Sequence, residues 1–101
     1  MPAKDHGLRV PPGAETDPQA QELIRAWVAH GGLHCSLNVG AWSKDEAICW
    51  GVLLSDVARH VADALRAQKR IDEQETIEKI RTVFNDELDS PTAEATGGFA
   101  E

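Results

Sequence analysis

Residues 33–39, Leu-His-Cys-Ser-Leu-Asn-Val, alternate apolar and polar without a break. Leu33, Cys35, Leu37 and Val39 fall on one face and His34, Ser36 and Asn38 on the other, the period-two pattern of a half-buried strand. That strand constrains the rest of the chain, because its backbone N–H and C=O groups need a neighbour that a single strand cannot supply. The sequence offers several neighbours. Gly7–Val10, just ahead of Pro11 and Pro12, has strand character, and a second copy of the chain could lend its own strand. Alternatively, Ala47–Gly51 could return as the other arm of a hairpin.

Helical signals surround the strand. Residues 16–32, TDPQAQELIRAWVAHGG, read as a complete helix: Thr16 and Gln19 have capping-box spacing, and Pro18 sits in the first turn, where its missing N–H costs nothing. Ala20, Leu23, Ile24, Trp27 and Val28 then repeat at three-and-four spacing, and Gly31–Gly32 supplies a left-handed stop. A second helix is expected from Ser43, with Glu46 completing a second capping box and Asp45 suiting the positive helix end. Along it Ala47, Trp50, Leu54, Val57, Ala58, Val61 and Leu65 form one apolar face. Residues 49–54 read as the buried hub of the fold. Gly51 costs about 1 kcal/mol relative to Ala inside a helix, which a close backbone crossing would explain. A third helix opens at Asp72, paired with Glu75 as a cap, carries Ile77, Ile80, Phe84 and Leu88 on one stripe, and ends at Ser90–Pro91.

The fold class expected is therefore α+β: three helices with a short antiparallel sheet, in the order helix-strand-helix-helix. An extra N-terminal strand is one way to complete the sheet and dimerisation is another. Residues 1–15 read as a partly extended N-terminal extension, 16–90 as the single domain and 91–101 as a flexible tail. An ordered part of about 75 residues makes a marginal core, which self-association relieves. A homodimer is expected, with another protein as a further partner.

Composition removes several classes of function. A net charge of −7 disfavours nucleic acid, whose phosphates call for a basic face, and disfavours anionic membrane surfaces equally. No apolar run approaches the roughly 18 residues of a membrane span, and the N-terminus has no apolar signal core. Cys35 and Cys49 then read as reduced thiols of a cytoplasmic protein.

Candidate chemistry centres on the long helix. Asp56 and His60 are an i,i+4 pair, and Arg59 reaches Asp56 or Asp63. Asp56 could orient His60 as an acid–base dyad while Arg59 holds an anion. The simpler reading, which is preferred, is a solvated helix face laced with pairs worth about 0.2–0.5 kcal/mol each. His34, Trp42, Asp56, Arg59 and His60 form the candidate ligand-binding set, with Trp42 in the turn ahead of the helix. Trp27 and Trp50 sit in core stripes. No HxxxH, HExxH or CxxC spacing suggests a metal, and no phosphate-binding loop or GxGxxG suggests a nucleotide, so no cofactor is expected. Ser43 is used as a cap and Ser36 has no glycine-rich elbow, so no catalytic nucleophile is assigned.

Asp17 and Pro18, Trp27, His34, Trp42, then Trp50–Gly51 and Asp56-x-x-Arg59–His60 together form a recognisable pattern. Over most of residues 8–91 it resembles a family of small bacterial proteins catalogued as a domain of unknown function. The resemblance implies a small cytoplasmic α+β protein and gives no reaction. The functional expectation is a non-catalytic binding domain that self-associates. The alternative is a small-molecule-binding domain or weak enzyme using the His/Arg/Asp cluster.

Overall fold

A computed structural model describes residues 7–42, 45–92 and 99–100. In it the alternating strand pairs with the residues just before it. β1 (Ile24–Ala29) and β2 (Gly32–Leu37) run antiparallel, with Ile24 opposite Leu37 and Ala29 opposite Gly32. His30 and Gly31 form the loop, at φ of 52° and 75°. Two successive positive φ angles make a type I′ turn, whose twist suits the flanking strands and which glycine enters without a Cβ clash.

The α+β class, with three helices and a short antiparallel sheet, is as expected, but the first helix is not where the periodicity placed it. Ile24, Ala26 and Val28 satisfy a period of two as well as Leu23, Ile24, Trp27 and Val28 satisfy a helical one. Ile, Trp and Val also favour strands. The hairpin ladder decides between the two periods, and the Gly31–Gly32 helix stop becomes the hairpin turn and its closing pair. The first helix, α1 (Pro12–Thr16), is a short turn in which Thr16 Oγ1 donates back to the Pro12 carbonyl at 3.2 Å. Asp17, and not Thr16, organises the Pro18 turn, accepting the Gln19 N–H at 2.9 Å. Gly7–Val10 forms no strand.

α2 (Glu46–Lys69) and α3 (Glu73–Asp89) follow. Ser43, the expected cap of α2, lies outside the described residues. The α3 cap is as read: Asp72 accepts the Glu75 N–H at 2.9 Å. Between the helices Arg70 takes the left-handed conformation at φ 58°, and the Arg70 and Ile71 N–H groups close on the carbonyls of Arg66 and Leu65. The two helices pack on each other, and Arg66 reaches Asp63 at 2.7 Å and Glu73 at 3.5 Å. Most of the expected tail also lies outside the described residues, but Phe99–Ala100 forms β3, parallel to β2 at Cys35 and Ser36.

Strand register sorts the hairpin's side chains cleanly. Ile24, Ala26 and Val28 share a face with their partners Leu37, Cys35 and Leu33, and every one is apolar. The opposite face carries Arg25, Trp27 and Ala29 with Ser36, His34 and Gly32. No residue of β1 or β2 comes within 8 Å, Cα to Cα, of α2 or α3, so the helices do not cover the apolar face. Val28 is accordingly 84% exposed and Leu33 56% exposed.

The expected hub at 49–54 is also open. Among the described residues only Ala62 and Thr76 are buried, while Ile48, Val52, Leu54, Val57 and Val61 on α2 and Val83, Phe84 and Leu88 on α3 are exposed. A Cβ added at Gly51 would meet nothing within 4 Å, so no backbone crosses there. The accessible surface is 8757 Å², about 3,100 Å² more than the roughly 5,600 Å² expected of a folded chain of 11.0 kDa. The radius of gyration, 15.7 Å, likewise exceeds the about 12.7 Å of a compact chain of this length. Among the described residues, no helix is long and apolar enough to cross a membrane.

These two glycines should respond in opposite directions to alanine. Gly51→Ala, in open helical space, should raise stability by about 1 kcal/mol, and Gly31→Ala, at positive φ, should lower it by about 1–2 kcal/mol. Urea unfolding at one fixed protein concentration reads both as midpoint shifts of opposite sign.

Candidate functional site

The segment between sheet and helix is held by one carboxylate. Glu46, the first residue of α2, accepts the Gly40 N–H at 2.9 Å on each oxygen and the Trp50 Nε1–H at 2.8 Å. The i,i+4 spacing brings the Trp50 indole back over Glu46. Gly40 presents its N–H from a backbone at φ 96°, a region that favours glycine. Trp42 then packs edge-on against Trp50, ring centroids 5.3 Å apart at 89°. The Gly40 N–H and then the Trp50 indole N–H hold the Glu46 carboxyl below its ordinary pKa. Glu46, Gly40, Trp42 and Trp50 thus form a clasp that fixes how the chain leaves β2 and enters α2.

This clasp is where the structure places Trp42. His34 lies on the polar face of the hairpin opposite Trp27, its Nε2–H donating to the Ala29 carbonyl at 3.1 Å. The His30 ring stands edge-on to it at 6.3 Å. Asp56, Arg59 and His60 are exposed on α2. Among the described residues none of the three has a hydrogen bond or ion pair, and Arg59 does not take up Asp63. That carboxylate is held by Arg66 at 2.7 Å, which lowers the Asp63 pKa and raises that of Arg66. Since β2 and α2 do not approach, His34 is not gathered with His60.

Two open clefts border the base of the hairpin. One, of about 430 Å³, lies between Glu22–Arg25 and Ser36–Asn38. The other, of about 770 Å³, lies between Gly7–Pro11 and Gln21–Trp27. Neither is lined by His34, Trp42, Asp56, Arg59 or His60. Cys35 and Cys49 are both free thiols. Among the described residues no cluster of His, Cys, Asp or Glu is placed to hold a metal ion. The geometry therefore gathers side chains at the clasp and leaves the polar residues of α2 dispersed. Sequence reasoning assigned Glu46 to a cap. The signal for its other role was a Trp four residues on and a Gly soon after the strand.

The comparisons with known proteins agree with this architecture. The family described as Domain of unknown function (DUF5076) matches residues 7–92, and the chain belongs to it. A solved structure from Rhodopseudomonas palustrus CGA009, named as that of a "putative pyruvate dehydrogenase", is 33% identical over 100% of both chains, with a TM-score of 0.69. No curated protein matches the chain.

Two predictions follow from the geometry. Because the folded pKa of Glu46 is depressed, the clasp is present above the ordinary glutamate range, about 4.3, and is lost as pH falls through the lower folded value. In a Trp27→Phe background, fluorescence from Trp42 and Trp50 should show an acid transition that Glu46→Gln removes. Separately, Asp56→Ala and His60→Ala should each move stability by no more than about 0.5 kcal/mol in urea unfolding, as exposed surface residues do.

Proposed function

We propose that this member of the family is a bacterial cytoplasmic binding domain that works by self-association and not by catalysis. The observation that carries the reading is the hairpin's apolar face, Ile24, Ala26, Val28, Leu33, Cys35 and Leu37, which its own helices leave uncovered. Monomeric proteins rarely leave an apolar patch of that extent in water. The separation of His34 from Asp56, Arg59 and His60, and the absence of hydrogen bonds among the latter three, support a binding role over a catalytic one. For the same reason the dehydrogenase name of the Rhodopseudomonas protein is not carried over.

Sedimentation velocity on the full chain tests the reading. A species of twice the 11.0 kDa chain mass should persist through dilution into the low micromolar range, and thermal unfolding should depend on protein concentration, as linked assembly requires. A monomer at every concentration, with concentration-independent unfolding, rules the reading out.

A further inference from the structure

We infer that the apolar face of the β1–β2 hairpin in one copy docks on the Trp50, Leu54, Val57 and Val61 stripe of α2 in a second copy, and that the contact is made twice about a two-fold axis. The inference rests on the self-association proposed above and specifies which surfaces meet.

The structure supplies two apolar surfaces per chain that do not meet each other. On the sheet, the six side chains contributed by β1 and β2 form a face without a single charge. On α2, Trp50, Leu54, Val57 and Val61 recur at four-and-three spacing, and Leu54, Val57 and Val61 are 41–46% exposed. The clasp of Glu46 on Gly40 and Trp50 ties the turn that follows β2 to the start of α2, while the hairpin itself lies clear of α2 and α3. A second copy is then the available cover.

Dimensions and charge select helix on sheet. Two strands are about 10 Å across, the width of one helix with its side chains. The stripe from Trp50 to Val61 runs about 16 Å, close to the about 20 Å length of a six-residue strand. Packing sheet on sheet would cover the hairpins and leave α2 in water. α3 is a poorer cover, because Glu73 and Glu87 flank its own apolar stripe at Ile77, Ile80, Phe84 and Leu88 and would lose water there. α2 carries no charge from Ala47 to Ser55, where desolvation is cheapest. A two-fold axis lets each hairpin cover the other's helix with one geometry and closes the assembly at two chains.

The test uses full-length chains with Cys35→Ala and Cys49→Ala, one population carrying Val28→Cys and the other, distinguishable by tag mass, Val57→Cys. After subunit exchange, a short bis-maleimide should link the two populations to each other and link neither to itself. A chain carrying both substitutions should give cross-linked dimers. Links of Val28→Cys to itself would mean sheet on sheet, links of Val57→Cys to itself helix on helix, and links only within the doubly substituted chain a hairpin folded back on its own helix. Each of these overturns the inference, as does a sedimenting dimer with no link. A sedimenting monomer instead overturns the self-association on which it rests. As a second measurement, Val28→Ser with Leu33→Ser should raise the dimer dissociation constant at least tenfold while helical circular dichroism is retained. An unchanged dissociation constant in that variant also overturns the inference.

Discussion

The face formed by Ile24, Ala26, Val28, Leu33, Cys35 and Leu37 is apolar from end to end, and neither α2 nor α3 of its own chain covers it. Fully burying a Val or Leu side chain is worth about 1.5–3 kcal/mol, while ordering the backbone costs about 1–2 kcal/mol per residue. With only Ala62 and Thr76 buried among the described residues, a single copy offsets little of that ordering cost by packing. The hydrogen bonds of the hairpin and the two helices are satisfied locally. What remains to be found is burial, and the exposed residues of the sheet, α2 and α3 are where it must be found.

The clasp gives this constraint a direction. Hairpin and helical pair are each built from neighbouring segments, and neither needs the other to form its backbone hydrogen bonds. Glu46 joins them by accepting from the last turn of the sheet segment at Gly40 and from its own helix at Trp50. Trp42 fills the angle against Trp50. A carboxylate in this role needs its charge, since two of its contacts are charge-assisted hydrogen bonds from neutral donors. The relative placement of the apolar surfaces is therefore set by a small polar site, and the chemistry of that site is positional.

The parts legible in the sequence were those decided by local rules. β2 was fixed by strict alternation over seven residues, and α3 by Asp72, Glu75 and one apolar stripe, so both appear where expected. β1 was not legible because Ile24–Ala29 satisfies both periods and its deciding contacts are the cross-strand pairs with Gly32–Leu37. His30–Gly31 looked like a helix stop for the same reason: positive φ serves a helix end and a type I′ turn alike. The supposed hub failed on a different ground. Periodicity states that Leu54, Val57 and Val61 want to leave water, but not that the cover lies in the same chain. For the candidate site, the exposed polar side of α2 is readable from helical spacing, whereas the separation of His34 from His60 lies in the placement of hairpin and helix, which no local spacing encodes.

The two sides of α2 then acquire different roles. Helical spacing of about 100° per residue puts Asp56, Arg59 and Asp63 roughly opposite Leu54 and Val61. Whatever covers the apolar stripe leaves the charged side in water, where Arg66 already compensates Asp63 and Arg59 has no partner among the described residues. A two-fold assembly would present that side twice, on a particle whose chains each carry a net charge of −7. The exposure of Asp56, Arg59 and Asp63 follows from packing, because the apolar residues that must be buried lie on the other side of the same helix.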